Sequence, residues 1–158
     1  MNIAIFAHSY LPRIGGLEET IRNLTQEFIR KSHRVIIVVF IRDTKLKAFE
    51  IIEGIPVYRL SVPFPLLPKQ GFMGFVDILK FFLTLPAILI KLAKLLKKNK
   101  TQIVNVQYVG MNALYALILS YFIHLKFIVT LHGFSVQALP FLVGWRAFLA
   151  DHLFKAIL

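Results

Sequence analysis

Short uncharged apolar runs alternate along this chain with longer segments patterned at helical spacing, and that alternation most constrains the fold. Asn2 to Ala7 is a continuous apolar run, the signature of a strand buried on both faces. Leu17, Ile21, Leu24 and Phe28 then recur at spacings of four, three and four, the stripe of an amphipathic helix. Val35 to Ile41 is a β-branched run and a second strand. Arg42 to Glu53 is mixed and charged, an irregular connection or an edge strand. Gly54 to Ser61 alternates and makes a third strand, and Pro63, Pro65 and Pro68 break any helix after it. Gly74 to Asn99 is helical in composition, with a kink or break expected at Pro86. Gln102 to Gln107 is a fourth strand, Met111 to His124 a helix, Lys126 to Leu131 a fifth strand and Gly144 to Leu158 a last helix. Strands alternating with helices of this length predict right-handed βαβ units. The expected fold is α/β, a Rossmann-like parallel sheet with helices on both faces. At 158 residues the chain suits one domain of about 150.

Apolar residues make up 57% and charged residues 17%, which excludes intrinsic disorder. With no Cys, a disulfide framework, a thiolate metal site and a Cys nucleophile are all excluded. Nineteen Lys and Arg against eight Asp and Glu leave a net charge of +11. A cation this strong expects an anionic partner. Mean hydropathy of +0.68 is high for a free-standing soluble domain, so apolar surface is expected to meet membrane or another protein. No segment reads as a span. Phe81 to Ile90 is ten residues long and contains Pro86, too short for hydrocarbon that takes about 20. Ile103 to Leu125 is uncharged for longer, but its periodicity changes near Gly110 and it reads as strand, turn and helix.

In a parallel sheet, ligands bind beyond the carboxyl ends of the strands, at the switch point of the chain order. Three turns there carry chemistry. The first holds Arg13, Gly15, Gly16, Glu18 and Glu19. Two glycines before a helix either make a tight turn or let an anion such as a diphosphate approach the first-turn N–H groups. Glu18 and Glu19 oppose an anion there, with Arg13 and Arg22 placed to offset them. Neither G-x-G-x-x-G nor G-x-x-x-x-G-K-[ST] is present. The second turn ends the fourth strand at Asn105, Val106, Gln107 and Tyr108. Alternation puts Asn105 and Gln107 on one face, suited to a hydroxyl-rich ligand or to bonding neighbouring loops. The third is Thr130-Leu131-His132-Gly133. A His there is either a satisfied structural residue or a proton donor and acceptor near neutrality. His8, just past the first strand, lines the same expected cleft. The five His show no shared metal-ligand spacing.

The chain resembles the N-terminal half of a family 4 glycosyltransferase, in the two-Rossmann GT-B fold. Tyr10-Leu11-Pro12 with Gly15-Gly16-Leu17-Glu18 matches the family opening (F/Y)-x-P-x-x-G-G-x-E. His33-Arg34-Val35 matches G-H-x-V, with Ser32 for the usual Gly, and Gly54-Ile55-Pro56-Val57 matches the third strand. Ile103 to Gln107 matches D-(I/V)-V-H-x-(H/Q), with Gln102 for Asp and Asn105 for the first His. Thr130 to Gly133 matches (T/V)-x-H-(G/D). The resemblance implies sugar transfer, usually with retention, from a nucleotide-sugar donor to a lipid, lipid-linked or glycan acceptor, as in cell-envelope polysaccharide synthesis. It implies that Gly15 and Gly16 approach the donor diphosphate and that His132 is catalytic, facing the donor sugar. The acceptor cleft is then expected among His8, Arg13, Asn105, Gln107, Tyr108 and Gly133. No metal and no cofactor beyond the substrate is expected. Residues 1–158 are read as the acceptor-side domain without its C-terminal donor-binding domain, and as inactive alone. The contrasting expectation is a non-catalytic, membrane-associated accessory module.

Lys91, Lys94 and Lys98 lie at spacings of three and four, with Lys97 and Lys100 beside them. The opposite face is Ile88, Leu89, Leu92, Leu95 and Leu96. Such a segment either packs on the sheet with a solvated lysine face or lies in an anionic interface. Phe64, Leu66, Leu67, Phe72 and Phe75 add apolar side chains upstream. Membrane contact is expected at Lys91, Lys94, Lys97 and Lys98, and a peripheral position at the cytoplasmic face. Nucleic acid is not expected, for want of any helix-turn-helix, zinc-finger or RNP pattern.

Overall fold

A computed structural model describes residues 1–41, 45–63, 72–108 and 110–131. Its elements run β1 (Asn2–Ala7), α1 (Gly16–Arg30), β2 (Arg34–Ile41), β3 (Phe49–Ile52), β4 (Ile55–Ser61), α2 (Phe72–Lys98), β5 (Ile103–Gln107), α3 (Met111–Ser120) and β6 (Lys126–Thr130). They form one six-stranded sheet in the order β3-β4-β2-β1-β5-β6. Every pairing is parallel except β3 with β4. The chain builds outward from β1 through β2 to β4, then returns along α2 to begin β5 on the other side of β1. The order therefore reverses between β1 and β5, and a crevice opens beyond their carboxyl ends.

Alternation along the strands sorts two cores. Ala4, Phe6, Val38, Phe40, Val104 and Val106 face Phe81, Leu92 and Leu96 of α2 and Tyr115 and Leu119 of α3. Ile3, Ile5, Ile37, Val39 and Val57 face the other way, against Ile21 of α1. The Phe40 ring meets Phe6 edge-on at 5.2 Å and stacks on Tyr115 at 5.5 Å. Continuous apolar strands follow directly from this: each must satisfy a helix layer on both sides.

One reading left open is narrowed, and two boundaries differ from the sequence expectation. The charged stretch after β2 contains a short antiparallel edge strand, β3, in register with β4 from Phe49↔Tyr58 to Ile52↔Ile55. α2 runs unbroken through Pro86. Pro86 lies on the exposed side, and the Phe82 carbonyl that loses its N–H partner belongs to an exposed turn, where water can stand in for the bond. α3 stops at Ser120, not His124. There the bonds tighten to three-residue spacing, Tyr121 N–H to Ile118 O at 3.3 Å and Phe122 N–H to Leu119 O at 3.0 Å. Beyond that turn, Tyr121 and Phe122 are exposed. The expected helix from Gly144 to Leu158 lies outside the described residues.

Candidate functional site

The end of β5 carries a buried polar network. Asn105 and Gln107 project from the face opposite Val104 and Val106, and both are buried. Asn105 Nδ2 donates to Thr130 Oγ1 at 3.3 Å, and Gln107 Nε2 donates to the same oxygen at 3.2 Å. Gln107 Nε2 also donates to Asn105 Oδ1. Two amides and a hydroxyl thus lock β5 to β6 one residue before Leu131. A buried network whose members satisfy each other is rigid. It fixes where the chain leaves the sheet toward His132 and Gly133, which themselves lie outside the described residues.

Tyr108 follows with a positive φ of 72°, a conformation a bulky residue holds only when its surroundings impose it. Its backbone N–H bonds to Thr130 O at 3.1 Å. The imposing group on the other side is Asn112. That buried amide donates to Gln107 O at 2.8 Å, Tyr108 O at 3.0 Å and Phe6 O at 3.3 Å, joining the ends of β1 and β5 beneath the crevice. Above this clamp the rings of His8 and Tyr108 meet at 5.1 Å. Two of the expected cleft residues, one from each side of the switch point, are in direct contact. Asn112 escapes a sequence reading because its partners are backbone carbonyls, one of them 106 positions away.

The loop after β1 is organised by Glu18. Its side chain is buried and accepts a hydrogen bond from Ser9 Oγ, while Arg13 Nε stands 3.8 Å away. Gly15 is required by space: a Cβ there would lie 2.7 Å from Glu18 Oε2. At Gly16 a Cβ would meet nothing within 4 Å, so the start of α1 is uncovered at that point. Arg22 stands against Glu19, with Nη1 to Oε2 at 3.7 Å. Its closer partner is Glu53, with Nε to Oε2 at 2.9 Å and Nη2 to Oε1 at 2.6 Å. That pairing holds the Glu53 carboxyl below its ordinary range.

Arg59 of β4 props the same loop from below. Its buried guanidinium pairs with Glu50 of β3 and donates to the carbonyls of Leu11 and Lys47. The Leu11–Pro12 peptide is cis. An open cleft of about 440 Å³ lies between this loop and the ends of β2 and β4. His8, Ser9, Tyr10 and Arg13 form one wall and Phe40 and Arg59 are among the others. Burial raises the Tyr10 hydroxyl above its usual pKa, helped by the negative charge of Glu53.

Lys91, Lys94, Lys97 and Lys98 are far from this crevice, exposed along the last turns of α2. The apolar face opposite them is not free. Leu92 and Leu96 are buried, with Ile88, Leu89 and Leu95 packed against the same core. Among the described residues no cluster of three or more His, Asp or Glu could hold a metal ion.

A mostly parallel sheet with helices on both faces and a switch point between β1 and β5 defines the class: a Rossmann-like α/β domain. The fold superposes on a sucrose-phosphate synthase from Thermosynechococcus elongatus with a TM-score of 0.70 at 18% identity. The overlap covers 99% of this chain and 40% of that one. A search of curated proteins finds no significant match. The model of Glycosyltransferase Family 4 matches residues 14–157, from the loop after β1 nearly to the end of the chain. The chain belongs to glycosyltransferase family 4.

Proposed function

We propose that this chain is the acceptor-side domain of a retaining glycosyltransferase that takes its sugar from a nucleotide-sugar. The family match across residues 14–157 carries the reading. That range runs from the glycine pair through Asn105 and Gln107 to His132 and Gly133. In the reaction, the bond between the anomeric carbon and the donor diphosphate breaks. The acceptor oxygen bonds to that carbon with its configuration retained, and the acceptor proton leaves with the nucleoside diphosphate.

Each residue has a role in this scheme. Gly15 and Gly16 admit the diphosphate to the start of α1, where first-turn N–H groups favour an anion. The open space at Gly16 supports that role. The buried Glu18 beside Gly15 opposes it, so the second, donor-binding domain supplies most of the cationic charge. His132 and Gly133 are assigned to the donor sugar. The acceptor lies along His8, Arg13 and Tyr108, above the Asn105–Gln107–Thr130 network. Neither a metal nor a cofactor has a step in this scheme.

The test is transfer by the protein that carries this domain together with a donor-binding domain, measured as nucleoside diphosphate release and sugar incorporation. His132→Ala is expected to lower kcat by about 10²-fold or more with little change in melting temperature. Unchanged turnover would overturn the assignment.

A further inference from the structure

None of the eight acidic residues falls between Asp77 and Asp151. From Ile78 onward, the layer built by α2 and α3 carries cations only. On α2, Leu79, Leu83, Pro86, Ile90, Lys94 and Lys97 follow one another at spacings of four, three, four, four and three. Helical periodicity puts them in one row, opposite the row of Phe81, Leu92 and Leu96 that enters the core. Leu83 is 72% exposed, Phe82 beside the row 62%, and Ile90 55%. The outward row is therefore apolar for its first half and lysine for its second.

A groove of about 460 Å³ opens at the lysine end, between the last turns of α2 and the connection from α3 to β6. Leu96, Ile123 and Leu125 make an apolar floor, Lys94, Lys97 and Lys100 bring cations to it, and the His124 ring lines it beside them. Thr101 lines the groove too. It is buried, and its hydroxyl has no hydrogen-bond partner among the described residues. An apolar floor with a cationic rim and an unmet hydroxyl suits one ligand chemistry, an anionic amphiphile. No helix among the described residues is long and apolar enough to cross a membrane, so the row suits contact in the plane of an interface.

We propose that the outer face of α2 docks on an anionic bilayer: the groove at Lys94, Lys97, Lys100 and Thr101 seats a phospholipid headgroup phosphate, and the Leu79–Ile90 row lies against the acyl chains. Charge complementarity selects this occupant, because an acid-free surface ending in lysines matches a sheet of phosphates. The proposal does not depend on glycosyl transfer, and its test contains no turnover.

The 158-residue chain is co-sedimented with vesicles of phosphatidylcholine alone and with vesicles that also contain phosphatidylglycerol. Binding is expected to be at least about tenfold tighter to the anionic vesicles and to weaken with salt. The combined Lys94→Gln, Lys97→Gln and Lys100→Gln variant is expected to lose about a hundredfold, at roughly fivefold per lysine. Phe82→Ser with Leu83→Ser leaves every lysine in place and is expected to lose at least about tenfold by removing buried CH₂ groups. Both variants change exposed positions, and circular dichroism checks that they fold. Equal binding to both vesicles overturns the proposal, as does wild-type affinity in either variant. A dimer in sedimentation velocity that the serine variant dissociates also overturns it, by assigning the face to a second copy. So does inorganic phosphate binding in the groove with no vesicle binding.

Discussion

Gly15 and Gly16 are neighbours with different reasons for lacking a side chain. Gly15 makes room for the Glu18 carboxylate. Gly15→Ala is expected to push that group off Ser9 and to cost about 1–2 kcal/mol, read as a lower urea midpoint. Gly16→Ala meets nothing within 4 Å and is expected to raise stability by about 0.5 kcal/mol. If the proposed function holds, the same change weakens nucleotide-sugar affinity in the protein with its donor-binding domain. One substitution moving stability and affinity in opposite directions is hard to mistake for unfolding. Tyr115 illustrates the reverse case, a polar atom with no task. Its hydroxyl is buried without a partner among the described residues, and burial pushes its pKa up to about 12. Tyr115→Phe is expected to leave stability unchanged or raise it by up to about 1 kcal/mol in urea unfolding.

The pair of Arg22 with Glu53 adds a pH dependence at the same scale. The native carboxyl is held below its ordinary range by the guanidinium, so the folded state binds its proton less readily than the unfolded one. The stabilisation is present above the ordinary carboxylate pKa of about 4.3 and is lost as pH falls through the lower native value. Glu53→Gln is expected to destabilise near neutrality and to match the wild type in acid, measured as urea midpoints at both ends.

Elements were legible where one physical demand ruled them. β1 and β2 need apolar side chains on both faces, so an uninterrupted run marks each one. β3 answers to a different demand. As an edge strand it leaves Phe49 and Ile51 exposed, and it is held through Glu50, which pairs with Arg59 on β4. A charged edge strand and an irregular connection look alike in sequence. Glu50→Ala leaves the buried guanidinium without its carboxylate and is expected to cost about 3 kcal/mol. It should also loosen the loop after β1, because Arg59 holds the Leu11 carbonyl; hydrogen exchange at Leu11 to Gly15 reads this. Pro86 misleads in the other direction. Proline forbids a bond, but on the solvent side of a helix that bond is dispensable. The amides of Asn105 and Gln107 were visible at the sheet end, while the choice between ligand and network depended on Thr130, 25 and 23 positions away.

Across the whole molecule, the two proposed contacts occupy opposite poles of the sheet. The crevice lies beyond the carboxyl ends of the parallel strands, and the lysine groove lies where β5 and β6 begin. α2 joins the two poles through 27 residues, about 40 Å at 1.5 Å per residue. A bilayer lying along α2 would run parallel to the strands, and the crevice would then open sideways along the membrane surface. An acceptor held in that membrane would reach it without leaving the interface.

The position of β1 governs how the protein is made. It leaves the ribosome before the other five strands of this sheet, and it ends in the middle of it. One of its edges is covered early, when Asn2 finds Arg34. The other must wait until Ile3 meets Ile103. Throughout that interval the growing chain presents a bare, uncharged strand edge, the kind of edge that recruits strands from other chains. A ribosome that stalls before residue 103 therefore releases a sticky half-sheet. Guarding that edge is a burden on the cell's chaperones that the finished fold conceals.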